Sequence, residues 1–228
     1  MSRVMFFFDP MCPWAYRASL WIRAVRAEIG IDIDWRFFSL EEINRAEGKK
    51  HPWEREWSYG WSQMRIAALL RRKGQDAVDR WYAAAGASGF ERGEPYFSSD
   101  GQRAILDDLG WSPELVEEAL ADPSTTTEVY EDHTYLTDTF GGHGVPTLVF
   151  DGHGDGTTPQ AFFGPVVLTP PVGDAAVRLW ELVEGWREFP DLYEIRRPKT
   201  EQDVEKINAG FNSYYQARPW HTVQNPAR

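Results

Sequence analysis

Five consecutive apolar residues, Val4 to Phe8, run into Asp9-Pro10, and directly afterwards Cys12-Pro13 opens a helical pattern. An element that is apolar at every position has to be covered on both faces, as a strand inside an α/β layer is. Asp9-Pro10 stops it, because proline offers a strand ladder no N–H. The helix that follows carries Trp14, Leu20, Trp21, Val25 and Ile29 near one face and ends before Gly30, with proline in its first turn. A second strand is predicted from Ile31 to Phe38, where Ile33, Trp35 and Phe37 alternate with Asp32, Asp34 and Arg36. A chain that begins this way is headed for a mixed α/β architecture.

From Glu41 to Gly142 the pattern is helical. One helix is predicted over Trp53–Lys73, another over Ala77–Ala87 and a short one over Gly101–Leu109. Ser112-Pro113-Glu114 starts a further helix, and Thr125 with Glu128 resembles a capping box for one ending at Gly141-Gly142. Strands then return at Thr147–Phe150 and Ala161–Leu168, joined by a turn at Asp151–Gly156. Gly173–Phe189 reads as a helix with Val177, Leu179, Trp180, Val183 and Trp186 inward, and Thr200–Ala209 as a short one opened by Thr200-x-x-Asp203. The order β-α-β, helices, β-β-α is that of a thioredoxin-like core split by an all-helical insertion. The expected division is 1–40 and 143–190 for the core, 41–142 for the insertion and 191–228 for an extension packed on the core.

Cys12 is the only cysteine among 228 residues. A lone cysteine is commonly just buried filler. This one lies between a buried strand and a helix start, where unpaired N–H groups and the helix dipole favour a thiolate. Cys12 is therefore the candidate nucleophile, with Pro13, Trp14 and Ala15 shaping the turn around it. The second half of the candidate site is Gly144-Val145-Pro146-Thr147, a proline loop directly before a strand. In the predicted element order the Val145–Pro146 bond is expected to be cis, with the Val145 backbone facing Cys12 and offering strand-like hydrogen bonds to an extended thiol substrate. His143 is close enough in sequence to tune the thiol, or is a structural histidine. Trp53, Trp57 and Trp61 repeat at helical spacing; they either wall an apolar pocket or pack into the core, the commoner use of such a stripe.

The net charge of −11 argues against a nucleic-acid partner, since Arg71-Arg72-Lys73 and Arg196-Arg197-Pro198-Lys199 are too short to form a basic face. The amino-terminal apolar run is shorter than a signal peptide needs, and no stretch has the length of a membrane helix. A cytoplasmic protein is expected, without a disulfide framework. The five histidines show no metal-ligand spacing, and Asp151-Gly152-His153-Gly154-Asp155-Gly156 reads as a hairpin turn rather than a calcium loop. The aromatic tail from Phe211 to Trp220 is expected to lie across the site, a partner subunit or a sheet edge. A homodimer stays open on sequence alone.

Phe8-Asp9-Pro10-Met11-Cys12-Pro13-Trp14-Ala15, together with Gly144-Val145-Pro146-Thr147, resembles the Dsb-like branch of the thioredoxin superfamily. That branch includes the 2-hydroxychromene-2-carboxylate isomerases and kappa-class glutathione transferases. The resemblance is greatest to the actinobacterial mycothiol-dependent nitroreductases, which carry Asp-Pro-x-Cys-Pro-Trp-Cys, and it covers most of the chain. It implies a thiol–disulfide oxidoreductase or thiol-dependent reductase with no tightly bound cofactor and a low-molecular-weight thiol, mycothiol or glutathione, as co-substrate. Nitroaromatic or other electrophilic small molecules, or a disulfide, would be the substrate. Ala15 departs from the family, standing where it has its second cysteine. This leaves either a monothiol enzyme relieved by a small thiol or a replacement that traps mixed disulfides. Two other functions stay open: a thiol-dependent transferase or isomerase, whose members carry serine in place of Cys12, and a non-catalytic binding protein.

Overall fold

The computed structural model describes residues 3–151 and 158–219. Strand β1 (Arg3–Phe8) leads into helix α1 (Pro13–Ile29), and β2 (Asp32–Phe37) follows. Six helices come next: α2 (Leu40–Ile43), α3 (Trp61–Arg71), α4 (Gln75–Gly86), α5 (Ser99–Asp108), α6 (Leu115–Ala121) and α7 (Pro123–Phe140). Strands β3 (Thr147–Phe150) and β4 (Gln160–Phe163) complete the sheet, followed by α8 (Asp174–Gly185), α9 (Glu201–Gly210) and α10 (Asn212–Ala217). The fold is thioredoxin-like, with a helical block between β2 and β3.

The sheet order is β2-β1-β3-β4. β1 pairs parallel with β2, Val4 opposite Ile33, and antiparallel with β3, Val4 opposite Phe150 and Phe7 opposite Thr147. The uninterrupted apolar character of β1 thus has its reason: it is an inner strand, and Val4, Phe6, Phe7 and Phe8 are fully buried. On one face Phe8 stacks on Tyr82 of α4 at 4.0 Å between ring centres and meets Trp35 edge-on. On the same face α1 packs on α8, where the Trp21 indole N–H donates to the Ala176 carbonyl at 3.0 Å, and on the opposite face Phe7 stacks on Tyr135 of α7.

The helical block is tied to β2 by ions as well as by rings. The carboxylate of Asp132, on α7, accepts from Arg36 of β2, Arg71 of α3 and the Phe37 backbone N–H. Arg36 also pairs with Asp34 at 2.8 Å.

Several boundaries differ from those predicted. The helix expected from Trp53 starts at Trp61; Pro52–Glu54 is a separate 3-10 turn, and irregular chain intervenes. Trp53, Trp57 and Trp61 therefore do not share a helix face. The helix expected from Thr125 starts at Pro123, because Asp122 is its cap and accepts the Ser124 N–H. β4 ends at Phe163 rather than Leu168, since Gly164 turns the chain at φ +118° and Pro165 has no N–H for the ladder. The helix at Gly173–Phe189 runs over α8 and closes in a 3-10 turn, Trp186–Glu188. Both bonds of the Thr200–Asp203 capping box are present. Of the predicted turn at Asp151–Gly156, all but Asp151 lies outside the described residues, as does Trp220.

Candidate active site

The chain between β1 and α1 is a tight turn: the Cys12 N–H donates to the Asp9 carbonyl at 2.9 Å, and Cys12 is the N-cap of α1. In that role its sulfur does what a serine oxygen does at other caps: Sγ accepts the Ala15 N–H at 3.4 Å. The proline loop arrives from the other end of the chain. The Val145–Pro146 bond is cis, and the Val145 carbonyl accepts from the Cys12 thiol at 3.5 Å. Thr147 steadies that loop by donating its hydroxyl to the Gly144 carbonyl at 2.8 Å.

The site is enclosed. Cys12 is 6% exposed, and Ala15 and Val145 are buried with it. The expectation of an acidic thiol is corrected here. Burial pushes the Cys12 thiol up to about 12; the Ala15 N–H works against that, and nearby Asp9 adds to it. A helix start lowers a thiol only as far as water or other dipoles share the charge, and here desolvation outweighs it. In the native protein, iodoacetamide labelling of Cys12 should climb about tenfold per pH unit from 6 to 9 without levelling. A plateau below pH 8 would contradict the buried, protonated thiol.

Three residues not anticipated as part of the site surround Cys12. The Asp9 carboxylate is fully buried and accepts the N–H groups of Met11 at 2.8 Å and Leu40 at 2.7 Å, joining the thiol turn to the start of α2. A Cβ on Gly60 would lie 2.7 Å from Asp9 Oδ1, so glycine is required where the start of α3 meets this turn. Tyr96 donates its hydroxyl to the Pro10 carbonyl at 3.0 Å, and Tyr214 donates to the Met11 carbonyl at 3.0 Å. Asp9 was legible as part of the quoted motif. The two tyrosines carry no local signal, because each acts 86 or 203 positions from its partner.

Burial raises Asp9 to about 7 against the pull of its two N–H donors. Between pH 4 and 7 the native state therefore holds a proton that the unfolded chain has released, so stability should fall as pH rises across that window. The expected fall is on the order of 4 kcal/mol. Urea unfolding of the wild type and of Asp9→Asn should show that slope in the first and lose it in the second.

Of the remaining candidates, His143 is exposed and its ring lies against Phe163 at 5.1 Å. Trp53 packs on Trp61 at 4.9 Å and stacks on His51, whereas the Trp57 indole donates to the Phe97 carbonyl at 2.9 Å. Among the described residues no group of three histidine, cysteine or acidic side chains could hold a metal ion, and no helix is long and apolar enough to cross a membrane.

A cysteine capping the first helix of this sheet, facing a cis-proline loop and topped by a helical insertion, defines a Dsb-like protein of the thioredoxin superfamily. Solved structures agree on the fold. The cytosolic disulfide reductase DsbM of Pseudomonas aeruginosa matches with a TM-score of 0.56 at 14% identity, over 80% of this chain and 98% of that one. A 2-hydroxychromene-2-carboxylate isomerase matches with a TM-score of 0.55 at 17% identity, over 82% and 95%. The chain belongs to the Rv2466c-like family, described as mycothiol-dependent nitroreductase Rv2466c, whose model matches residues 11–197. Protein Rv2286c of Mycobacterium tuberculosis, described as uncharacterized, is 48% identical over 223 residues, 98% of this chain and 94% of that protein.

Proposed function

We propose that the protein is a monothiol, thiol-dependent reductase of the cytoplasm, with Cys12 as nucleophile and a small thiol, mycothiol, as co-substrate. The observation that carries this reading is the sulfur's position between the Ala15 N–H and the Val145 carbonyl, with one partner for the anion and one for the thiol. Toward a disulfide RSSR, the Cys12 sulfur attacks one sulfur, the S–S bond breaks, and the departing thiolate takes the Cys12 proton. The products are Cys12–SSR and RSH. The co-substrate thiol, R′SH, then attacks R's sulfur in the mixed disulfide, giving R′SSR and returning Cys12–SH, so that RSSR and R′SH have become RSH and R′SSR.

A nitroaromatic substrate fits the same cycle. Cys12–SH, one RSH and ArNO2 give Cys12–SSR, ArNO and water; a second RSH regenerates Cys12, so two thiols supply the two electrons. Val145, Pro146 and Thr147 would hold the small thiol's backbone beside Cys12, while Pro13 and Trp14 shape the helix start. Ala15 leaves no neighbouring thiol to resolve the mixed disulfide, which is why the external thiol is needed.

Incubation with mycothiol disulfide should add one thiol per chain at Cys12 by peptide mass spectrometry, with glutathione disulfide as the competing probe. No adduct, or one without Cys12, sinks the reading. Turnover of a substrate with no thiol oxidised would instead point to the transferase or isomerase class. Ala15→Cys puts a second thiol one helical turn from Cys12 and should shorten the adduct's lifetime by at least about tenfold through an intramolecular disulfide. Equal lifetimes would show that the missing thiol does not govern release.

A further inference from the structure

The last described helix, α10, has no necessary place in a thioredoxin-like core, yet two of its neighbouring contacts end on the thiol turn. Phe211, fully buried, meets the Trp14 ring edge-on at 4.9 Å between centres. Tyr214 donates to the Met11 carbonyl, packs on Phe90 at 5.0 Å and is itself buried. Arg17 of α1 reaches the same place, its guanidinium 5.8 Å from the Phe211 ring centre and donating to the Gly210 carbonyl.

The chain leading to these anchors is largely exposed. From 188 to 210 no residue is buried, and 190–200 has no regular structure. Phe189, Tyr193 and Ile195 stand in solvent along it, Tyr193 at 88% exposure. A long exposed tether ending in two buried aromatic anchors is the pattern of a segment that opens at lower free energy than the fold around it. Both anchors sit on the neighbours of Cys12, Trp14 and Met11, and that buried sulfur has to meet an external molecule if it is to react.

We propose that α10 is a displaceable cover of the Cys12 site. Phe211 and Tyr214 leave together to admit substrate, and the seat they vacate, walled by Trp14, Phe90 and Tyr96, receives a planar apolar part of it. The proposal rests on Cys12 being the reacting atom. Covered, the thiol is desolvated and held protonated. Uncovered, it meets water and substrate at once, so access and reactivity rise together.

The structure supplies its own lock. A Cβ on Gly93 would lie 3.3 Å from the Cβ of Ser213, just inside the spacing a disulfide spans, and because Gly93 sits at φ +69° the cysteine there carries backbone strain, so the locked variant is first checked for native circular dichroism. The full-length Gly93→Cys, Ser213→Cys variant, oxidised and peptide-mapped to exclude pairing with Cys12, is compared with wild type for reaction of Cys12. The probes are an aromatic disulfide, 5,5′-dithiobis(2-nitrobenzoate), and an aliphatic one, hydroxyethyl disulfide. With the open state a minor population, the lock should slow Cys12 by at least about tenfold with both probes. In wild type the aromatic probe should be preferred beyond its preference for a free cysteine. Phe211→Ala, checked for native circular dichroism, should speed the reaction.

A locked protein reacting as fast as wild type, or Phe211→Ala folded and no faster, overturns the cover. An aromatic preference no larger than that of free cysteine overturns the seat. Cys12 silent in every folded variant but reactive in urea would overturn the underlying reading of the thiol instead.

Discussion

Cys12→Ser is expected to remove thiol-dependent turnover by at least about a thousandfold while leaving the fold intact, since losing the atom that forms a covalent intermediate costs that much or more. The fold should survive because a serine hydroxyl is a better N-cap than a thiol: it can accept the Ala15 N–H and donate to the Val145 carbonyl, the two bonds the sulfur now makes. What serine cannot do is form or break a bond to sulfur at neutral pH. Initial rates of disulfide or nitroaromatic reduction with mycothiol, alongside thermal unfolding, separate the two effects. Serine retaining more than about a tenth of the rate would mean that the bound thiol alone does the chemistry, as in the transferase and isomerase branch.

Asp132→Ala should cost about 3–5 kcal/mol of unfolding free energy, because removing one partner of a buried ion group strands the others. Its carboxylate serves the guanidiniums of Arg36 and Arg71 and the N–H of Phe37, so that α7 is tied to both β2 and α3. Arg36 keeps Asp34 and Arg71 keeps Glu128, but the buried Phe37 N–H loses its acceptor and Arg71 loses the carboxylate that holds it 4.6 Å from the Phe37 ring. Urea unfolding followed by circular dichroism reads the loss directly. Asp132→Asn, which keeps an acceptor without the charge, should fall between the two. A change under about 1 kcal/mol for the alanine variant would show that the helical block is held by packing alone.

How much of the protein was legible can be judged at particular residues. The β1–α1 junction was readable because its signals are local: an unbroken apolar run, a proline stop, and proline again in the first helical turn. Thr200 and Asp203 were readable for the same reason, a capping box being complete within four residues. The tryptophan stripe misled, because helical spacing from Trp53 to Trp61 coincided with a chain that is not one helix; Pro52 starts a separate turn and Gly60 precedes α3. The acidity of Cys12 was misjudged for a deeper reason. A helix start is a property of three or four consecutive residues, whereas burial depends on everything packed around it, including Tyr214, which reaches the thiol turn from the far end of the chain.

By itself the sequence determined the mixed α/β class, the order of its elements, and two local features, Cys12 at a helix start and a proline loop before a strand, all of which follow from periodicity and punctuation within short windows. Only the tertiary structure decided that Asp9 is buried under two N–H donors and that Tyr96 and Tyr214 grip the thiol turn. It also decided that the sulfur is covered and protonated. Those outcomes depend on desolvation, and desolvation is set by which distant side chains meet, a quantity that no local pattern of residues contains.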